Sequence, residues 1–390
     1  MDQISRKALL KPVKRVVIKV GSAVLTARDG LNRSVIQSLT NEMCGLRRKG
    51  IEVILVSSGA ISSGLKKIGL SKRPDSLSQK QAVAAVGQIS LMIAWQKAFS
   101  RHRVKVAQIL ITRDDFSHRT RYLNARNTIF SLLSWKIIPV INENDTVAVD
   151  EIKFGDNDNL SAMVTSLMDA QLLIALTNMD GLYDKDPRDH KDASLIRVVS
   201  RVNKEILKCA GGTPGNLGTG GMMTKLMASQ KAALCGVPTI IANGTRPGVL
   251  TSLFRGKEEG TLFLPQNDTL CSRKRWIAFT KSPKGEIVID SGAERALTKG
   301  GKSLLPSGIR DVKGNFSLGD SVVLSNEDGV PLGVGMVNYH AGDIRKIMGL
   351  KTTEIEAMLG FKHDDEVIHR DNLVIENHSE EEVPACQKPI

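Results

Sequence analysis

Short apolar runs bounded by turn residues recur through the first two-thirds of the chain, at 16–20, 53–56, 104–110, 137–141, 172–176 and 239–242. Between them lie longer stretches whose apolar positions return every three or four residues, among them 79–99, 123–133, 159–168 and 222–234. Apolar runs this short predict buried strands, and the longer period predicts helices laid across them. Their alternation predicts an α/β fold, an open and mostly parallel sheet sandwiched by helices. Ligands bind such sheets beyond the carboxyl ends of the strands. The polar residues that follow the apolar runs are therefore the first candidates for a site.

The texture changes at Leu264-Pro265-Gln266-Asn267-Asp268. Beyond Trp276 the segments shorten and predict strands with turns at 285–290, 319–324 and 333–338. The pattern predicts an α/β domain over 1–267, a small β-rich domain over 276–370 and an acidic tail over 371–390. A length of 390 residues accommodates two domains. No internal repeat or low-complexity segment interrupts them.

Composition narrows the classes of function. The 41% apolar and 24% charged residues are those of a globular protein with a substantial core. A net charge of +13 and a pI near 9.5 favour anionic ligands: nucleotides, acidic metabolites or RNA. A merely basic, solvated surface has the same signature. Aromatics are only 4%, which speaks against a base-stacking surface. The five cysteines stand singly with no C-x-x-C pair, so neither a zinc site nor a disulfide framework is indicated. Residues 1–15 are basic but lack an apolar core and cleavage site, and no run approaches membrane-spanning length; the expectation is a cytoplasmic protein without a membrane partner.

Several motifs follow the apolar runs. Lys19 sits inside the first of them, where an unpaired lysine is costly, so it must emerge at the strand end or meet an anion. An ordinary edge-strand lysine fits the local pattern equally well. Ser57-Ser58-Gly59-Ala60 allows either backbone approach to a ligand or a plain turn with a serine cap. Asn142-Glu143-Asn144-Asp145, and Gly155-Asp156-Asn157-Asp158-Asn159 before a helix, are both expected in loops. Asx-turn chemistry explains either one singly, but the pair together suggests a site: an aspartate for an ammonium group, an asparagine for a carboxylate. Residues 211–221 hold six glycines and open into a helix at Met222-Met223-Thr224-Lys225. This is not a Walker A loop, because the order is Thr224-Lys225, and Gly301-Lys302-Ser303 fails because Ala296 occupies the first glycine position. A lysine at a strand end and a bare helix N-terminus both suit phosphate oxygens. Together they predict a kinase that holds a nucleotide from two sides.

In combination these motifs are specific. Lys19-Val20-Gly21-Ser22, Ser57-Ser58-Gly59-Ala60, Ile141-Asn142-Glu143-Asn144-Asp145, Gly155-Asp156-Asn157-Asp158-Asn159-Leu160-Ser161, Gly181-Leu182-Tyr183, Asp186-Pro187-Arg188 and the stretch 218–225 occur in that order. The chain thereby resembles the glutamate 5-kinases, members of the amino acid kinase fold that open proline biosynthesis, from about residue 16 to about residue 370. The β-rich module, about 286–363, resembles the PUA domain that bacterial members often carry. The resemblance implies ATP with Mg²⁺ carried on the nucleotide, L-glutamate as substrate and proline as feedback inhibitor. It also implies a homo-oligomer and functional coupling to the glutamyl phosphate reductase. It places Lys19 and Lys225 on the transferring phosphoryl group, with Asp158 orienting both. Ser58, Asp145 and Asn157 would bind glutamate. Lys19, Thr177 and Asn178, with Thr219, Gly220, Gly221, Met222, Met223, Thr224 and Lys225, would line the nucleotide site, and no residue is assigned to a metal. One departure stands out: the family shows Thr-Asp where this chain has Thr177-Asn178. Competing readings are an N-acetylglutamate, aspartate or uridylate kinase, or an RNA-binding protein acting through the PUA-like module.

Overall fold

The computed structural model describes residues 5–27, 30–147, 157–210, 221–266 and 283–375. The expected boundary segment between the domains, Thr219, Gly220, Gly155, Asp156 and most of the expected tail lie outside them. The chain divides into two compact units, Met1–Leu270 and Cys271–Ile390.

The strands of the first unit are β1 (Arg15–Val20), β2 (Thr26–Ala27), β3 (Gly30–Leu31), β4 (Glu52–Ser57), β5 (Val106–Ile111), β6 (Ile138–Glu143), β7 (Leu172–Thr177), β8 (Val198–Val199), β9 (Thr239–Asn243) and β10 (Thr261–Phe263). Eight of them form one sheet in the order β5-β6-β4-β1-β7-β9-β10-β8, while β2 and β3 make a separate ribbon. From β5 to β9 every pairing is parallel; β10 runs antiparallel to β9, and β8 follows β10. The sheet is thus open and mostly parallel, and all six apolar runs became strands of it. The short strands β8 and β10 were below the length at which periodicity speaks. β1 and β7 are buried along almost their whole length, as strands covered by helices on both faces must be. Lys19 is therefore in a central strand, and the edge-strand reading is wrong.

The predicted helices appear as Leu77–Ser100, Arg119–Ser134, Asn157–Leu167 and Met222–Leu234. Two site segments differ from expectation. Asn142 and Glu143 do not lie in a loop; they complete β6. The strand tolerates Asn142 because its buried amide is hydrogen-bonded on both sides by other side chains. Asn157 and Asp158 form the first turn of their helix rather than preceding it, where a carboxylate complements the helix dipole.

The helix Leu77–Ser100 is the most apolar of the described helices tested for length and composition. It has 24 residues, and an 18-residue window of it has a mean hydropathy of 1.2, long and apolar enough by length and composition alone to cross a membrane. Here the apolar content has a packing cause, because Leu91, Trp95, Ala98 and Phe99 belong to the main core. It lies backbone to backbone on the helix Ala60–Ile68. A Cβ on Gly87 would fall 1.8 Å from the carbonyl oxygen of Ala60, and one on Gly64 1.9 Å from that of Val83.

The second unit holds β11 (Gly285–Ile289), β12 (Ile309–Gly314), β13 (Ser321–Asn326), β14 (Pro331–Met336) and β15 (Leu373–Ile375), ordered β12-β11-β13-β14-β15. The three predicted strands correspond to β11, β13 and β14, and the sheet continues past residue 370 through β15. Its own core gathers Ile287, Ile289, Val322, Leu324, Tyr339, Ile344 and Ile347.

Candidate active site

The site is assembled at the carboxyl ends of β1, β4, β6 and β7, which are neighbours in the sheet although far apart in sequence. β1 delivers Lys19 one residue before its end. Gly21 follows, and its N–H donates to the carbonyl of Leu176, 3.1 Å away, tying the turn to β7. A Cβ on Gly21 would sit 3.2 Å from that oxygen. β4 ends at Ser57 and is followed by Ser58 and Gly59. Gly59 caps the helix Ala60–Ile68 at φ +106°, a left-handed conformation that favours glycine. No serine side chain caps that helix. β6 presents Asn142 and Glu143, with Asp145 in the turn beyond. β7 ends in Thr177, followed by Asn178.

At the centre a buried aspartate holds two lysines. The Lys19 ammonium bonds Asp158 Oδ1, and Lys225 Nζ lies 3.1 Å from Asp158 Oδ2. The Thr224 hydroxyl donates to Asp158 Oδ2 at 2.7 Å. Asp158 is 1% exposed and each lysine 4%. Burial alone pushes the Asp158 carboxyl up. The two ammonium groups and the Thr224 hydroxyl outweigh it and hold the group down at about 2. Asp158 is ionised at any physiological pH. Lys225 stands in the first turn of Met222–Leu234, whose N-cap is Gly221 without a side-chain cap.

Two cavities meet at this centre. One, of about 280 Å³, is lined by Lys19, Ser58, Arg73, Asp145, Asn157 and Lys225 among others. The second, of about 330 Å³, is lined by Tyr183, Asp186, Arg188, Gly221, Met222 and Lys225 among others. Thr177, Asn178 and Lys225 line both. The first is polar and holds charges of both signs. The second carries Gly181-Leu182-Tyr183 and Asp186-Pro187-Arg188. In it the Arg188 guanidinium grips Asp186, its Nε 3.0 Å and 3.2 Å from the two carboxylate oxygens. Hydrogen bonds from the Arg188 side chain and backbone hold the Asp186 carboxyl at about 2.

Of the residues singled out in the sequence, the structure brings Lys19, Ser58, Asp145, Asn157, Asp158, Thr177, Asn178, Gly221, Met222, Thr224 and Lys225 to this junction. Met223 is half-buried in the same helical turn but is absent from both linings. The carboxylate missing at Asn178 has a near neighbour in Asp180, but Asn243 and Arg246 occupy it at 2.9 Å and 2.7 Å. Arg73 was missed. It sits in a short connection between two helices, where no periodicity or spacing marks an arginine. Ser22, from the first motif, also lines the first cavity, and so does Ser62, which no motif marked.

Comparison with known proteins identifies the two domains. Residues 14–243 match the amino acid kinase family and residues 285–359 the PUA domain. A glutamate 5-kinase of Geobacter sulfurreducens is 51% identical over 371 residues, covering 95% of this chain and all of that protein. One from Geobacter metallireducens is 53% identical over the same span and coverage. Among solved structures, a UMP kinase from Bacillus anthracis aligns with 65% of this chain and 96% of its own, at 16% identity and a TM-score of 0.46.

Proposed function

The chain belongs to the amino acid kinase family, and from that premise we propose that it transfers the γ-phosphoryl group of ATP to the γ-carboxylate of L-glutamate. The product is L-glutamyl 5-phosphate, and the reaction opens proline biosynthesis. The observation that carries this reading is the meeting of two cavities at Lys225, which shares one ionised aspartate with Lys19 of the first cavity. Phosphoryl transfer requires in-line positioning and neutralised charge rather than covalent catalysis by the protein. Lys225 lines both cavities and so borders donor and acceptor alike.

The nucleotide occupies the cavity beside the helix Met222–Leu234, whose open N–H groups and lysine suit phosphate oxygens. Mg²⁺ carried on the phosphates supplies further neutralisation when bound. Glutamate occupies the polar cavity. Asp145 faces its ammonium group, and Arg73 and Ser58 offer donors to carboxylate oxygens. A carboxylate acceptor is already ionised at neutral pH, so no strong base is required. No histidine lines either cavity among the described residues, which accords with that chemistry.

The reading is tested by ATP-dependent formation of glutamyl hydroxamate with free glutamate, N-acetylglutamate and aspartate as acceptors. Turnover with glutamate alone is the expected result. Preference for the acetylated substrate would overturn the assignment of Asp145, because an acetylated nitrogen carries no positive charge for the carboxylate to meet. We further propose that proline, which shares the α-carboxylate and ammonium, inhibits from the same cavity. Raising glutamate should then relieve inhibition, and inhibition insensitive to glutamate would place proline elsewhere.

A further inference from the structure

We infer that Gln88, which lines neither cavity, is a positioning residue that sets which way the Ser58 hydroxyl points. The inference rests on the glutamate kinase reading and names how its acceptor site selects a carboxylate. A chain of side-chain hydrogen bonds runs from the helix Leu77–Ser100 to the cavity. Asn142 Nδ2 donates to Gln88 Oε1 at 2.8 Å. Asn157 Nδ2 donates both to Asn142 Oδ1 and to Ser58 Oγ, each at 2.9 Å. Gln88 is 8% exposed, and Asn142 is buried more deeply still.

The polarity of this chain matters more than its length. An amide bonds in one sense on each side, oxygen accepting and nitrogen donating. With Gln88 presenting its oxygen, Asn142 must turn its NH₂ toward Gln88 and its oxygen toward Asn157. Asn157 then spends both N–H bonds, on Asn142 and on Ser58. Ser58 Oγ accepts, so its own O–H is released to donate into the cavity that it lines. Reversal at Gln88 would bring N–H against N–H unless every amide turned. Ser58 would then donate back to Asn157 and show the cavity only lone pairs. The first polarity recognises a carboxylate and the second an ammonium group.

The scaffold under this chain is rigid. Gly87, beside Gln88, packs directly on the Ala60 carbonyl, and only a residue without Cβ allows that approach. Seven residues on, Trp95 Nε1 donates to Ser57 Oγ at 2.9 Å, buried. One helix thus supports both serines that open the substrate loop. Gln88 Nε2 has no partner among the described residues. Asn157 Oδ1 is likewise without a partner among the described residues, so each of these two buried amides is half-satisfied, Gln88 using its oxygen and Asn157 its nitrogen.

The test compares Gln88→Met with Gln88→Glu in the full-length protein. Methionine keeps the volume and removes the acceptor, whereas an ionised carboxylate can only accept and preserves the polarity. Gln88→Met should raise the glutamate KM about five- to tenfold, with kcat and the ATP KM within about twofold. Gln88→Glu should keep the glutamate KM within about twofold of the parent. In a Ser58→Ala background, Gln88→Met should add nothing, because the group it orients is gone. An unchanged glutamate KM in Gln88→Met, equal damage by both substitutions, or additive effects with Ser58→Ala would each overturn the inference. If Gln88→Met does not fold, a Gln88→Glu protein with a glutamate KM raised fivefold or more would overturn it. Wild-type protein that forms hydroxamate while Gln88→Met is unchanged sinks the positioning role alone. Wild-type protein that forms none from glutamate sinks the kinase reading, and the positioning role with it.

Discussion

Asp158 concentrates the electrostatics of this protein in one side chain. Its folded pKa of about 2, against an ordinary 3.8, stabilises the fold by roughly 2–3 kcal/mol at about 1.4 kcal/mol per pH unit. Because the folded value is depressed, that contribution is complete above pH about 4 and is lost as the pH falls through about 2. Asp158→Asn removes the carboxylate that bonds two buried ammonium groups and should destabilise the protein at pH 7 by about 3 kcal/mol or more. The gap between mutant and parent should close between pH 4 and 2, read as Tm against pH. A gap independent of pH would mean that Asp158 acts through shape and not charge. The two lysines have a different signature. Lys19→Ala and Lys225→Ala should each lower kcat about 10²-fold or more while altering the glutamate KM far less, because their charge counts most as the phosphoryl group departs. Steady-state kinetics on folded mutants checks this, and near-normal kcat in either removes that lysine from the reaction.

The helices Ala60–Ile68 and Leu77–Ser100 behave as one block. Their contact runs through two glycines whose missing Cβ atoms let backbone meet backbone, a fit with no slack. Gly64→Ala would place a Cβ 1.9 Å from the Val83 carbonyl. Separation of the helices should cost about 1–3 kcal/mol in urea denaturation. It should also raise the glutamate KM, since Ser58 and Gly59 sit at the start of the displaced helix. A mutant with parental stability would show that the pair can slide, and that the substrate loop does not depend on it. The same contact explains the apolar length of Leu77–Ser100: it is a core helix with Trp95 and Phe99 inside.

Each unit has a core of its own. The apolar residues clustered around β1 and β7 belong to the first unit, and those around β11 and β13 to the second. Every residue placed at the junction of the two cavities lies in the first. A fragment spanning residues 1–270 should therefore fold and form glutamyl hydroxamate at a rate within about threefold of the full chain. Circular dichroism establishes folding and the hydroxamate assay the activity. A folded but inactive fragment would show that the PUA unit contributes to catalysis.

The sequence by itself determined the sheet, its helices and most of the chemistry. Five of the six apolar runs are inner strands, where burial on both faces demands mostly apolar residues and that demand is written locally, whereas β5 is a half-exposed edge strand. Lys19, Asp158 and Lys225 were legible because charge inside apolar or glycine-rich surroundings is unusual on its face. Tertiary structure decided what those residues do to one another. Lys19 and Asp158 stand 139 positions apart, and only the parallel order β4-β1-β7 brings them into contact. It also decided that Asn142 belongs to a strand and Asn157 to a helix, since hydrogen bonds between distant side chains stabilise them there. Arg73 and Gln88 left no trace in the pattern. An arginine in a short connection and a glutamine on an apolar helix look like solvated surface until the fold shows what they face. Polar partnership is set by three-dimensional proximity, and hydrophobic periodicity carries no information about it.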